Sequence, residues 1–397
     1  MDRDRRRALQ WLGAAGLALA CERRKATAPS AAAEAPAGGP RFPEKAGDLV
    51  LLTDRPPNLE MPLHYLRHDL TPNDAFFVRW HLAGVPLGLG RQAFRLRVAG
   101  HVARPLELSL DQLERMDPVE LVAVNQCSGN GRALSSPRVP GVQWTHGAMG
   151  NARWRGVRLR DLLSRAGVKA GAVEVAFRGA DVAPLPTVPR FEKSLGLERA
   201  VDPDILVAYA MNGGPLPVLN GFPLRLVVPG WYSTYWIKAL EQITVLPGPF
   251  GGYWMARAYR IPANPRAHEA PDLLLKETTP IAGMNVRSFL VPPAAGSVRA
   301  GRPVLVEGVA FDGGSGIRRV EVSTDGGATF TEARLDSDLG RYSWRRFRMD
   351  WTPRSPGVTT LLARATSVAG ETQSAAPRWN RAGYMRNAPE SLPVTIT

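Results

Sequence analysis

The chain has 397 residues, 44% of them apolar and 22% charged, which excludes a disordered polar chain and allows two or more domains with separate cores. Its 50 Lys and Arg residues against 36 Asp and Glu leave a net charge of +14, which favours an anionic partner: nucleic acid, membrane lipid, an acidic protein or a small anion. Nucleic acid is the weakest of these, because the chain has neither a lysine-rich helix nor a basic stripe interleaved with aromatics.

Residues 1–20 have the layout of an export signal: Arg3, Arg5, Arg6 and Arg7, then an apolar run over 11–20, then Ala18-Leu19-Ala20 as a small-residue cleavage site. The run is too short to span a bilayer. "RRRALQ" at 5–10 resembles a twin-arginine signal, so a periplasmic location is expected. Cleavage after Ala20 would put Cys21 first, and membrane attachment is expected only if Cys21 is lipidated. Residues 21–45, rich in Ala, Pro and Gly, read as a flexible tether.

"FRLRVAG" (94–100) alternates apolar and basic residues as a strand does, and "SLDQLERM" (109–116) predicts a Ser-capped helix with Leu110, Leu113 and Met116 on one face. A second helix is predicted at "RLRDLLSRAGV" (158–168), stopped by Gly167. "FPLRLVVPG" (222–230) reads as a buried strand closed by Pro-Gly. Residues 46–270 are therefore expected to form an α+β domain with mixed sheets. After a proline-spotted stretch at 262–280, the pattern turns all β. "RPVLVEGVAF", "IRRVEVSTDGGATF" with its Asp325-Gly326-Gly327 hairpin signal, and "TTLLARATSV" predict a seven-strand, immunoglobulin-like β-sandwich over 280–397.

The chain has two cysteines, and Cys127 is the one outside the leader, in "NQCSGNGR" (125–132). Its thiol has three readings: a buried small hydrophobe, a nucleophile, or a soft metal ligand. It follows the apolar run "VELVAVNQ", where a strand gives way to a glycine-punctuated loop, and Arg132 nearby would favour a thiolate. A nucleophile needs a base, and His81 and His146 are conceivable partners, but no thiol-hydrolase signature surrounds Cys127. CxxC, HExxH and CxxCH are absent, so a metal held by this thiol would take its other ligands from an organic cofactor such as a dithiolene.

The segment from "VNQCSGNGR" to "LRDLLSRAG" (124–167) resembles the molybdenum-binding region of the sulfite oxidase family, and the resemblance runs from about Asp48 to the end of the sequence. It implies a mixed-sheet molybdopterin domain followed by a dimerisation domain, with a molybdenum–molybdopterin cofactor whose one protein ligand is Cys127. "FFVRWH" (76–81) resembles the cofactor and substrate loop: Phe77, Val78, Arg79, Trp80 and His81 are implied at the cofactor, Arg79 at the substrate and His81 beside the metal centre. Arg132 matches a further substrate arginine. "MNGGPLPVLNGFPLRLVVPGWYSTYWIKAL" (211–240) resembles the stretch that grips the pterin phosphate, which implies roles for Arg225, Trp236, Ile237 and Lys238; Asn220 stands where animal members have histidine. Asp181 fits a pterin contact, although a turn aspartate explains it equally well. "YWMARAY" (253–259) implies Trp254 and Tyr259 at the active site, and "YSWRRF" places Arg345 at an arginine that reaches over it. Taken singly, each arginine is more often a solvated surface group and each aromatic a core residue; it is their joint order that carries the resemblance.

The implied activity is oxidation of sulfite to sulfate. Arginine suits such an oxyanion because its planar fork donates two parallel bonds and stays charged. No CxxCH is present, so no haem is expected in this chain, and the resemblance favours bacterial sulfite dehydrogenases that pass electrons to a c-type cytochrome. Pairing through the second domain would make a homodimer. The alternatives are a sulfane dehydrogenase of thiosulfate oxidation and a non-catalytic periplasmic oxyanion-binding protein, in which Cys127 would be idle.

Overall fold

The computed structural model describes residues 42–397, so the leader and nearly all of the tether read from the sequence lie outside the described residues. The tether reading ends too late: residues 42–45 are already packed. The Lys45 ammonium is buried and donates to the carbonyls of Asn73 and Phe76, while Glu44 accepts from the amides of Val218 and Leu219.

Sheet dominates, and the helices are few and short. One five-stranded sheet places Met149–Arg158 between Val119–Gln126 and Leu206–Met211, with Gly214–Pro215 and Arg225–Val227 both pairing with the last. A second runs Leu106–Ser109, Arg95–Gly100, Leu240–Leu246, Glu174–Gly179, Glu192–Gly196, and is mixed, because Arg95–Gly100 and Leu240–Leu246 are parallel. A three-stranded sheet, Val50–Thr53, Asn58–Glu60 and Val78–Arg79, delivers the loop that carries Arg79 and His81.

Both predicted helices form, trimmed by local chemistry. The helix Leu110–Glu114 has Ser109 as its cap, with Gln112 completing a capping box. It stops short of Met116 because Pro118 disfavours a helical conformation for Asp117. In Leu159–Ala166, Leu159, Leu162, Leu163 and Ala166 form the buried stripe, and Gly167 ends the helix at φ 69°. These elements are too short to balance the sheets, so the expectation of an α+β domain gives way to a mostly-sheet one.

From Arg287 to Ile396 a single path of eight strands runs Arg287–Leu290, Val304–Phe311, Arg345–Trp351, Thr331–Leu335, Ile317–Ser323, Gly357–Ser367, Leu392–Ile396, Ser297–Val298. The strand beyond the seven expected is Ser297–Val298, two residues parallel to Leu392–Ile396 and too short to show any alternation. The path has its own core around Val320, Phe347 and Ala365. Phe289, Phe311, Tyr342 and Trp344 instead join the larger core of the first half. There the Val124 amide donates to the Tyr342 carbonyl at 2.9 Å. This seam presses the second half against the strand that leads into Cys127. No helix among the described residues is long and apolar enough to cross a membrane.

Candidate active site

The strand Val119–Gln126 becomes wholly buried over its last five residues and releases the chain into the cysteine loop. The Cys127 amide donates to the Ala148 carbonyl at 2.9 Å and its carbonyl accepts from the Asn130 amide at 3.0 Å, so the buried thiol sits in a tight turn. Asn130 braces that turn, accepting from the Ala148 amide and donating to Gln126 Oε1. Arg287, from the second half and fully buried, donates to Gln126 Oε1 at 3.2 Å and to the Asn130 carbonyl at 3.0 Å, and pairs with Glu390 at 2.6 Å. Burial raises the Glu390 carboxyl, but hydrogen bonds and charge from His146, Arg287 and Arg386 outweigh this and hold it at about 2.

Beside this loop, Phe77, Arg79, His81, Asn125, Asn220, Arg225, Ser233 and Lys238 line a narrow cleft. A larger recess near Arg95 and Arg178 holds none of these groups and lies on the mixed sheet. Arg225 is buried between the Trp154 and Trp236 rings, its carbon 5.2 and 5.7 Å from their centroids, and donates to Asn125 Oδ1 and the Asn220 carbonyl at 2.9 Å each. Lys238 donates to the Arg79 carbonyl and stands over the Trp80 ring, whose indole N–H is fixed on the Leu219 carbonyl. Asn220 joins the wall of the cleft to its floor by accepting from Lys45 and donating to the Phe77 carbonyl. Val78 is buried, and the Trp236 indole N–H bonds the Trp231 carbonyl. Ile237 is buried too, and its carbonyl accepts from the Leu226 amide.

The cleft gathers buried basic side chains, with Arg79, Arg225 and Lys238 in its wall. Burial lowers Lys238 well below its ordinary value and brings Lys45 to about 8 and Arg225 to about 9. Asp181 is the nearby carboxyl, raised by burial to about 6 against the pull of Lys238. Two buried donors on the cleft wall, Asn125 Nδ2 and Arg225 Nε, have no hydrogen-bond partner.

On the other side of Arg79 lies an aromatic cluster. The Tyr259 hydroxyl meets His81 Nε2 and lies 3.4 Å from Arg79 Nη2. Tyr259 adopts φ 55°, a left-handed conformation uncommon for a non-glycine residue, as the chain turns from the helix Tyr253–Ala256 into the strand Arg260–Pro262. The His81 ring stacks on Phe191 at 3.5 Å, and Trp254 packs edge-on against His81. Burial, then Arg79, Lys238 and Lys193, lower His81 well below its ordinary value, so the ring is neutral. Burial raises Tyr259 and Arg79 lowers it, while the Cys127 sulfur acts electrostatically on both. Thiol, arginine and phenol thus share one dry site.

Arg345 is not part of it. Its guanidinium donates to the carbonyls of Asp336 at 2.9 Å and Ile317 at 3.3 Å, because the strand Arg345–Trp351 pairs Arg345 with Ala310 and directs its side chain within the eight-stranded sheet. The second half contributes Tyr384 instead: its ring stacks on Tyr259 at 5.5 Å and 4°, with Arg132 over it at 5.1 Å. Arg132 is buried as well, its fork donating to the carbonyls of Ala382 and Val142. Lys45, Phe191, Lys193, Arg287 and Tyr384 were all missed by the sequence reading.

Residues 82–254 match the oxidoreductase molybdopterin binding domain, and 278–394 match the Mo-co oxidoreductase dimerisation domain. Sulfite oxidase of Gallus gallus is 34% identical over 378 residues, a stretch covering 89% of this chain and 81% of that protein. The chain belongs to the sulfite oxidase family. Mitochondrial sulfite oxidase of Homo sapiens is 34% identical, with 88% of this chain covered and 66% of the relative, so the chain spans about two thirds of the length of that enzyme. A nitrate reductase of Nicotiana tabacum is 31% identical over 87% of the chain and 41% of its own length. Among solved structures, the sulfane dehydrogenase SoxCD from Paracoccus pantotrophus superposes with a TM-score of 0.75 at 26% identity, covering 93% of this chain and 94% of that one.

The residues fit the family's cofactor. Buried basic side chains and orphaned donors around a cleft are what an anionic pterin phosphate would complete. Among the described residues no group of three or more His, Cys, Asp or Glu side chains could hold a metal, so Cys127 fits a metal that brings its own sulfur ligands. Cys127 would bind the metal, and Arg225, Lys238, Asn220 and Asn125 would hold the pterin.

Proposed function

We propose that the protein oxidises sulfite to sulfate. The reading is carried by the convergence of Arg79, Tyr259 and neutral His81 in the site that holds Cys127. When bound, the molybdenum cofactor supplies the two-electron oxidation. Arg79, whose Nη1 already serves Asn58 and the Trp80 carbonyl, offers its remaining N–H groups to the anion's oxygens and stays charged at any working pH. The Tyr259 hydroxyl, shared between Arg79 and His81, donates to the reacting oxygen, and neutral His81 can accept its proton through Nε2. Tyr384 and Arg132 close the pocket and keep it dry, which strengthens each of these interactions.

Electrons then leave singly to a c-type cytochrome, and the second half acts as an immunoglobulin-like dimerisation unit. The Arg5-Arg6 pair and the apolar run after it support export to the periplasm. Anaerobic addition of sulfite and a one-electron acceptor such as ferricyanide to the molybdenum-loaded protein tests the reading: sulfate formed with two equivalents of acceptor reduced supports it, and no sulfate refutes it.

The likeness to SoxCD supports a second reading, a sulfane dehydrogenase. Free sulfite separates the two. Turnover with sulfite alone favours the first reading, and turnover only with protein-bound sulfur favours the second.

A further inference from the structure

Lys193 lies on the strand Glu192–Gly196 and is fully buried. Phe191, two residues earlier, is the ring on which His81 stacks, so the alternation of the chain brings Lys193 to the same aromatic cluster. Its ammonium donates to the Trp254 carbonyl at 2.8 Å and stands 4.5 Å from the Tyr235 ring centroid and 5.3 Å from that of Tyr259. Its charged neighbour is Arg260, of the same sign. Burial and Arg260 lower it to about 7.

A buried ammonium whose hydrogen bond goes to a carbonyl and not to a carboxylate is an expensive way to fill space, and methionine would pack there at lower cost. A packing role therefore does not account for it. The titratable and charged groups around it are Tyr235, on which Glu174 of the paired strand also acts, Tyr259, Arg260 and His81, whose protonation Lys193 opposes. The helix Tyr253–Ala256 offers it a carbonyl, and the adjoining strand sets Phe177 opposite it. Arg178, beyond Phe177, is occupied by Glu241 and Gln242.

We propose that Lys193 is a positioning residue for oxyanion binding: its ammonium under the Tyr259 ring makes the phenol a stronger donor and adds positive charge behind Arg79. The proposal rests on the oxyanion-pocket reading above. Loss of the proton as pH rises removes that charge, so anion affinity is full on the acid side and falls through neutrality.

Sulfite takes up a proton in the same range, so the probe is sulfate, which stays a dianion. Its affinity is read by calorimetry on the cofactor-loaded protein and as competitive inhibition of sulfite turnover. Wild-type affinity is expected to fall roughly tenfold between about pH 6 and 8.5, the effect of one buried charge near a dianion. Lys193→Arg should hold the acid-side affinity across the range, and Lys193→Met should be weak and flat. A step of wild-type size in Lys193→Met overturns the proposal. So does the same step in Lys193→Arg, which decides the matter should the methionine variant not fold. If the loaded protein turns over no sulfite, the functional reading fails; if it does and the variants keep the step, the Lys193 proposal alone fails.

Discussion

Replacing Arg225 by methionine separates what the guanidinium does for the fold from what it does for the cofactor. Burial brings Arg225 down to about 9. Against an ordinary value above 12, at about 1.4 kcal/mol per factor of ten, keeping it charged costs on the order of 4 to 5 kcal/mol. Its hydrogen bonds to Asn125 and Asn220 return about 1.5–3 kcal/mol each, and the Trp154 and Trp236 faces about 1–2 more. Without an anion the two sides cancel to within a few kcal/mol, so cofactor-free Arg225→Met should melt within about 5 °C of cofactor-free wild type. With the pterin phosphate in place, the variant loses one partner of a buried charge pair. That costs about 2–5 kcal/mol, or thirtyfold to several-thousandfold in retention. Molybdenum per chain after prolonged dialysis, beside the two melting temperatures, is the assay. A variant that keeps wild-type molybdenum while its cofactor-free form melts far lower would refute the reasoning, because Arg225 would then be a structural group.

Tyr259→Phe removes the hydroxyl shared by Arg79 and His81 and leaves the ring stacks in place, so kcat/KM for sulfite should fall about 10²-fold or more with molybdenum content unchanged. Arg345→Gln should change KM for sulfite by less than about twofold, since its guanidinium serves the carbonyls of Asp336 and Ile317; a large rise in KM would return it to the pocket. Glu390 sits at about 2 in the folded protein, below the ordinary carboxyl value, so its stabilisation is fully present above that ordinary value and lost as pH falls through about 2. Glu390→Gln should therefore lower unfolding free energy by about 3 kcal/mol at neutral pH, with the difference closing below about pH 2, as urea titrations at several pH values will show.

The sequence exposed those parts of the site whose residues are neighbours in the chain. Cys127 at a strand end, Arg79 and His81 in one loop, and Asn220 to Lys238 in one stretch each sit in a contiguous motif, and the structure gathers these stretches around one cleft. Residues contributed across the seam between the halves were not legible. Tyr384 and Arg287 reach the cysteine loop from a turn and a strand end whose placement depends on tertiary packing, and no periodicity marks them. Arg345 was chosen by its order in the chain, but sheet register decides where a strand residue points, and here it keeps Arg345 within its own sheet. Lys193 left a faint signal in its spacing from Phe191. The rule that lysines stay in solvent argued against reading it. The strands at 94–100 and 304–311 were legible because their alternation is long enough to read, whereas Ser297–Val298 was not.

The central claim is that Cys127 is the one protein ligand to molybdenum. X-ray absorption at the molybdenum edge, comparing wild type with Cys127→Ser, tests it most directly. The account predicts three sulfur neighbours, two from the pterin dithiolene and one from Cys127, falling to two in the variant. An unchanged sulfur shell in Cys127→Ser would contradict it.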